Sequence, residues 1–145
     1  MSRIAAFHPA LTDLDTTPQV AVGGILEADN KMYKYVKFTG TNAVAVGDLV
    51  GYVASLDMNT VDGAVGVGPA GVALAVVATG TVVYGFIQIR GTCVAASAIA
   101  GGAADGQLLK QGTYPAFTLQ TAATIVNAGV GYDVSEKLVS LMMPY

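Results

Sequence analysis

The stretch GVALAVVATGTVVYGFIQIRG, residues 71–91, decides the fold of this chain. It holds two apolar runs, residues 72–78 and 81–89, which meet at Thr79-Gly80. Val, Ile, Tyr, Phe and Thr fill the second run, and β-branched and aromatic side chains suit a pleated surface better than a helix. Two such runs meeting at a glycine predict antiparallel strands joined by a tight turn. Successive side chains of a strand point to opposite faces, so Val82, Tyr84 and Phe86 share one face and Val83, Gly85, Ile87 and Ile89 the other. Both faces are apolar. Such a strand lies at the centre of a sandwich or barrel, or against a neighbouring subunit. On the second view Val83, Ile87 and Ile89 are the candidate oligomer contacts.

Residues 63–89 carry no charge, and ~20 apolar residues suffice to cross a bilayer. Pro69 and the glycines at 63, 66, 68, 71, 80 and 85 break this run in the manner of turns, and basic flanks are missing. Strands are therefore expected here, and a membrane-associated protein is the third-ranked reading.

Working outward, 145 residues predict one domain. Only 12% of residues are charged and 53% are hydrophobic, whereas about a quarter of an ordinary soluble domain is charged. A surface so poor in charge implies contacts with other proteins, so the chain is expected to work in an assembly. A net charge of −3 argues against nucleic acid, whose phosphates demand a basic face. Cys93 stands alone, which excludes a disulfide framework and a thiolate metal cluster. Residues 1–15 lack a continuous apolar segment, so no secretory signal is expected and synthesis is assigned to a cytoplasm.

Residues 1–18 differ from the rest. Ile4, Phe7, Leu11 and Leu14 recur at helical spacing, but Pro9 interrupts any helix through all four. This segment is read either as a loosely ordered end or as an arm whose apolar side chains dock on a partner. From residue 19 the pattern is β. Residues 20–27 and 31–39 flank Ala28-Asp29-Asn30, a hairpin turn whose lysine-bearing second strand suits an edge. Gly47-Asp48 turns into a strand at Leu49, residues 57–69 read as an exposed loop, and residues 93–104 leave helix or strand open. Residues 105–142 weakly repeat residues 47–91. Asp105-Gly106-Gln107-Leu108-Leu109 echoes Gly47-Asp48-Leu49-Val50, Ala128-Gly129-Val130-Gly131-Tyr132 echoes Ala70-Gly71-Val72-Ala73-Leu74, and Leu138-Val139-Ser140-Leu141-Met142 takes the place of Phe86-Ile87-Gln88-Ile89. About eight short strands predict a mainly β, single-domain sandwich or barrel, β-tulip-like variants included, with an N-terminal arm over residues 1–18 and a β-rich domain over 19–145.

Chemistry-bearing motifs are few. Residues 66–71, GVGPAG, match the GxGxxG string, but no helix pattern follows and no acid appears before Asp105. His8 is the single imidazole, and the acids sit beside turns without a distinctive pair. No catalytic, cofactor-binding or metal-binding residue is assigned, and the chain is read as a non-enzyme.

The runs GGILEADNKMYKYVKFTG (residues 23–40), AVGDLVGYV (45–53) and GVALAVVATGTVVYGFIQIRG, with the weaker second copy ending in LVSLMMPY, resemble the small head decoration, or capsid cement, proteins of tailed bacteriophages. The resemblance implies a β-rich homo-oligomer, commonly a trimer, on the outer face of the virion head, made in the host cytoplasm. Its partners would be the major capsid protein and itself, with no cofactor, nucleic acid or membrane. It also implies an N-terminal arm reaching the capsid protein, with Ile4, Phe7, Leu11 and Leu14 as contacts. A small ligand-binding β-barrel or β-domain enzyme is the alternative.

Overall fold

The computed structural model describes residues 3–4, 8–54, 56–63, 67–112, 115–120 and 128–143. Ten strands and no helix run through them. Strands β1 (Ile25–Ala28) and β2 (Lys31–Phe38) form the hairpin read from the sequence. Its two turn residues, Asp29 and Asn30, have φ of 51° and 60°. Left-handed backbone at both positions gives the turn a twist that matches its strands, and Asp and Asn tolerate it best after glycine. The first strand is shorter than residues 20–27, because Val20 and Val22 pack on a hydrophobic cluster instead of pairing.

β3 (Leu49–Ala54), β4 (Asp57–Asp62), β5 (Pro69–Ala73) and β6 (Val83–Val94) follow. Together with β2 they close a five-stranded barrel in the order β2-β4-β3-β5-β6 and back to β2. The closing pair, β2 with β4, is parallel and only two residues long, Lys37 with Thr60 and Phe38 with Val61. Val36, Phe38, Leu49, Tyr52, Val61 and Ile87 fill the core at 2% exposure or less.

Three expectations are corrected. Residues 57–69 are not wholly a loop, since β4 pairs with β3 there. At the strand's start Asp57 accepts from the Asn59 N–H and the Thr60 hydroxyl. The two central runs do not meet in a tight hairpin. β5 and β6 pair at Val72–Gln88 and Ala73–Ile87, and the chain between them detours so that Val77, 1% exposed, bridges Val44. Finally, the hairpin reaches the sheet edge through β1 and not through the lysine-bearing β2, where β6 pairs along one side and β1 then β4 along the other. The segment left open, residues 93–104, begins as strand, because β6 runs on to Val94.

The last third supplies β7 (Leu108–Gln111), β8 (Phe117–Leu119), β9 (Gly129–Asp133) and β10 (Leu138–Met142). Its strands pair as those of the middle third do: β7 with β8 and β9, and β9 with β10, as β3 with β4 and β5, and β5 with β6. The registers match as well. Leu49–Val72 and Val50–Gly71 answer to Leu108–Val130 and Leu109–Gly129. The opening turns are alike: Ala45 N–H donates to Asp48 Oδ2 at 2.7 Å, and Ala104 N–H to Gln107 Oε1 at 2.8 Å. β10 then pairs antiparallel with the far end of β6, from Arg90–Met142 to Val94–Leu138, which joins the two four-strand units into one sheet.

Candidate functional site

The outer face of β1, β2 and β6 bears a second hydrophobic cluster, Leu26, Tyr33, Tyr35 and Phe86, separate from the barrel core. The N-terminal residues cover it. Ile4 and Leu11 pack on this cluster, and Leu14 packs against the main core. Leu14 also lies over Gly85, where an added Cβ would come within 2.8 Å of its side chain. Asp15 and Tyr84 exchange backbone hydrogen bonds at 2.9 and 2.8 Å, so the segment is annealed to the free edge of β6 beyond the end of β5. Polar pins complete the strap. The Tyr35 hydroxyl donates to Asp15 Oδ2 at 2.9 Å and accepts from the Gln19 N–H at 3.2 Å. Arg3 pairs with Glu27 at 3.1 Å, an exposed contact worth little.

Of the four side chains assigned to capsid contact, Ile4, Leu11 and Leu14 are therefore half-buried on their own domain, and Phe7 lies outside the described residues. The assigned oligomer contacts are also inside: Val83 is 6% exposed, Ile87 and Ile89 0%. In this conformation they offer no surface to a neighbouring copy. The second apolar face of β6 reflects the strap on one side and the barrel on the other, not a neighbouring subunit.

One buried charge went unread in the sequence. Lys34, 3% exposed, points into the barrel, and its Nζ donates to the Tyr52 hydroxyl at 3.1 Å and to the Met58 carbonyl. The ammonium also lies 5.0 Å from the centre of the Tyr52 ring, within cation–π range. Burial pulls its pKa below the ordinary lysine value, and the charge of Asp57 partly restores it. Burial likewise pushes Tyr52 up to about 12. The amine spans the stretch where β2 and β4 no longer pair, so it clasps the seam of the barrel. No sequence rule marks it, because a lysine at an alternating strand position reads as solvent-facing.

The remaining candidates offer little chemistry. Cys93 is half-buried, and burial, opposed by Lys31, pushes its thiol up to about 12, which leaves almost no thiolate at neutral pH. His8 stands edge-on to Phe86, ring centres 6.0 Å apart, with Nδ1 2.7 Å from the Pro9 carbonyl. Asp62 accepts from Asn42 and the Gly63 N–H, which is turn chemistry. No group of three or more His, Cys, Asp or Glu able to hold a metal occurs among the described residues. An open cleft of about 370 Å³ lies at the β1–β2 turn, lined by Glu27 to Met32. No helix among the described residues is long and apolar enough to cross a membrane.

The surface is the more distinctive feature. Leu56 is 99% exposed, with Val53, Met58 and Val67 at 40–60%; elsewhere Val76 and Tyr132 exceed 65%. Compared with known proteins, the chain matches no family model, no curated protein and no solved structure.

Proposed function

We propose that this chain is a structural virion protein that binds the outside of a tailed-phage head, assembles with copies of itself as a trimer, and reinforces the shell. The observation that carries the reading is the exposed apolar surface, above all Leu56 and its neighbours, on a chain with 12% charged residues. Scattered apolar side chains are ordinary on a monomer, but apolar side chains grouped on one element, as on the β3–β4 hairpin, mark protein contacts. The motif resemblance points the same way. The mechanism is burial of apolar surface across several capsid subunits, with modest contacts adding through effective concentration once one is made. Because Ile4, Leu11 and Leu14 are spent on their own domain, the shell contact in this conformation falls to other exposed side chains. The test is co-sedimentation with expanded empty heads of a tailed phage. Saturable binding is expected; a protein that stays in the supernatant with every head tried, while folded, overturns the reading.

A further inference from the structure

The two four-strand units are built alike but finished differently. In the first, the opening turn is covered: Gly47, Asp48 and Leu49 are all buried. The cover comes from the second unit and the chain leading to it. Ala96 N–H donates to the Gly47 carbonyl at 2.9 Å, and Leu49 N–H donates at 3.0 Å to the carbonyl of Pro115, in the β7–β8 hairpin. A Cβ on Gly47 would lie 2.9 Å from backbone atoms of Val94 and Ala96. In the second unit the matching turn is bare. Gly106, Gln107 and Leu108 are all exposed, and a Cβ on Gly106 would meet nothing within 4 Å.

The hairpins are mismatched in the opposite sense. The β7–β8 hairpin covers the first unit's turn and keeps Phe117 at 0% exposure. Its counterpart, the β3–β4 hairpin, packs Asn59 against Gly23 and presents Leu56, Val53 and Met58 to solvent. Among the described residues, one copy thus holds a hairpin without a matching opening turn beneath it and an opening turn without a hairpin above it.

We propose that the β3–β4 hairpin of one copy docks on the 106–108 turn of the next, repeating between chains the contact that the β7–β8 hairpin makes within one. This deepens the self-association proposed above and rests on it. The occupant is a second copy because the contact continues an interface the chain already makes with itself. Asp57 follows Leu56, and the 106–108 turn has Asp105 on one side and Lys110, on the same face of β7 as Leu108, on the other, so charge neither favours nor opposes the contact. The Asp57 carboxyl is held below the usual range by hydrogen bonds from the Thr60 hydroxyl and the Asn59 N–H. The contact is head-to-tail, so each copy gives a hairpin and receives one, and a closed ring forms if the rotation closes.

Single-cysteine variants on a Cys93→Ser background test it. Leu56→Cys and Leu108→Cys are oxidised separately and mixed. A covalent dimer is expected in the mixture and not in either variant alone, and the double variant should give a ladder that stops at the ring size. Leu56→Asp, at a side chain almost wholly in water, should keep the circular dichroism of the parent while sedimentation shifts to monomer. A parent that is monomeric at its highest soluble concentration overturns both this contact and the proposed self-association. An oligomer unchanged by Leu56→Asp, with no mixed cross-link, overturns the contact alone. Either variant linking to itself overturns the head-to-tail arrangement.

Discussion

Units β3–β6 and β7–β10 share their pairing order and register, yet their equivalent side chains live in different surroundings. Phe86 is 2% exposed beneath the strap, whereas Leu138, in the matching position of β10, is half-buried. Leu74 is half-buried, and its counterpart Tyr132 is 68% exposed. Register is fixed locally by backbone approach. A Cβ at Gly71 would come within 2.6 Å of the Gln88 carbonyl, and one at Gly129 within 2.5 Å of the Ser140 carbonyl, so in both units a glycine lets the strands close. Burial depends on what else packs on the sheet, and among the described residues the strap lies on the first unit.

Truncating the matched pair, Phe86 and Leu138, carries the largest expected difference in stability. Phe86→Ala should cost about 3–5 kcal/mol by opening a cavity under the strap, and Leu138→Ala about 1 kcal/mol, since little of its surroundings would collapse. Urea unfolding of both variants measures the difference, and equal losses would mean the strap adds no burial. The opening turns form the next pair. Gly47 and Gly106 have φ of 88° and 80°, so alanine strains both backbones. Gly47→Ala also runs into backbone and should cost about 3 kcal/mol, against about 1 kcal/mol for Gly106→Ala, where only the strain applies.

Titration sharpens it further, because the buried ionisable clasp belongs to the barrel alone. Tyr52 has its pKa raised from 10.0 to about 12, so the folded state keeps a proton that the unfolded chain loses. That stability is complete below pH 10 and is lost as pH rises toward about 12, up to roughly 2–3 kcal/mol. Lys34, shifted downward, acts in the opposite sense, adding stability as pH climbs toward 10.5. Tyr52→Phe should flatten the alkaline loss in pH-dependent unfolding, and a curve unchanged by it would leave the clasp without energetic weight. The smallest effect leaves stability untouched. Cys93, on β6 where β10 pairs, should react with iodoacetamide at pH 8 about a thousandfold more slowly than a free thiol, through its scarcity of thiolate.

What the sequence revealed follows the range of the forces involved. The Asp29-Asn30 turn depends on two residues' own backbone preferences, and the apolar faces of β6 on strand alternation, so both were legible. Lys34 was not, because its partners Tyr52 and Met58 are distant in sequence and only closure of the barrel brings them together. Leu11 and Leu14 read as apolar side chains awaiting a partner; nothing local says that the partner is the chain's own β6. The unmatched hairpin and turn required two tertiary environments to be compared, which no window of residues contains.

The strap also sets an order of events. Asp15 leaves the ribosome well before Tyr84, its pairing partner roughly seventy residues later, which at about 5–20 residues per second is a wait of roughly 4–14 s. Until β6 is made Leu11 and Leu14 therefore have no place to dock, and this apolar segment settles only after the strands that precede β6 have been synthesised. Until then it is open to whatever binds nascent apolar chains, and the strap becomes the element that reports completion of the barrel.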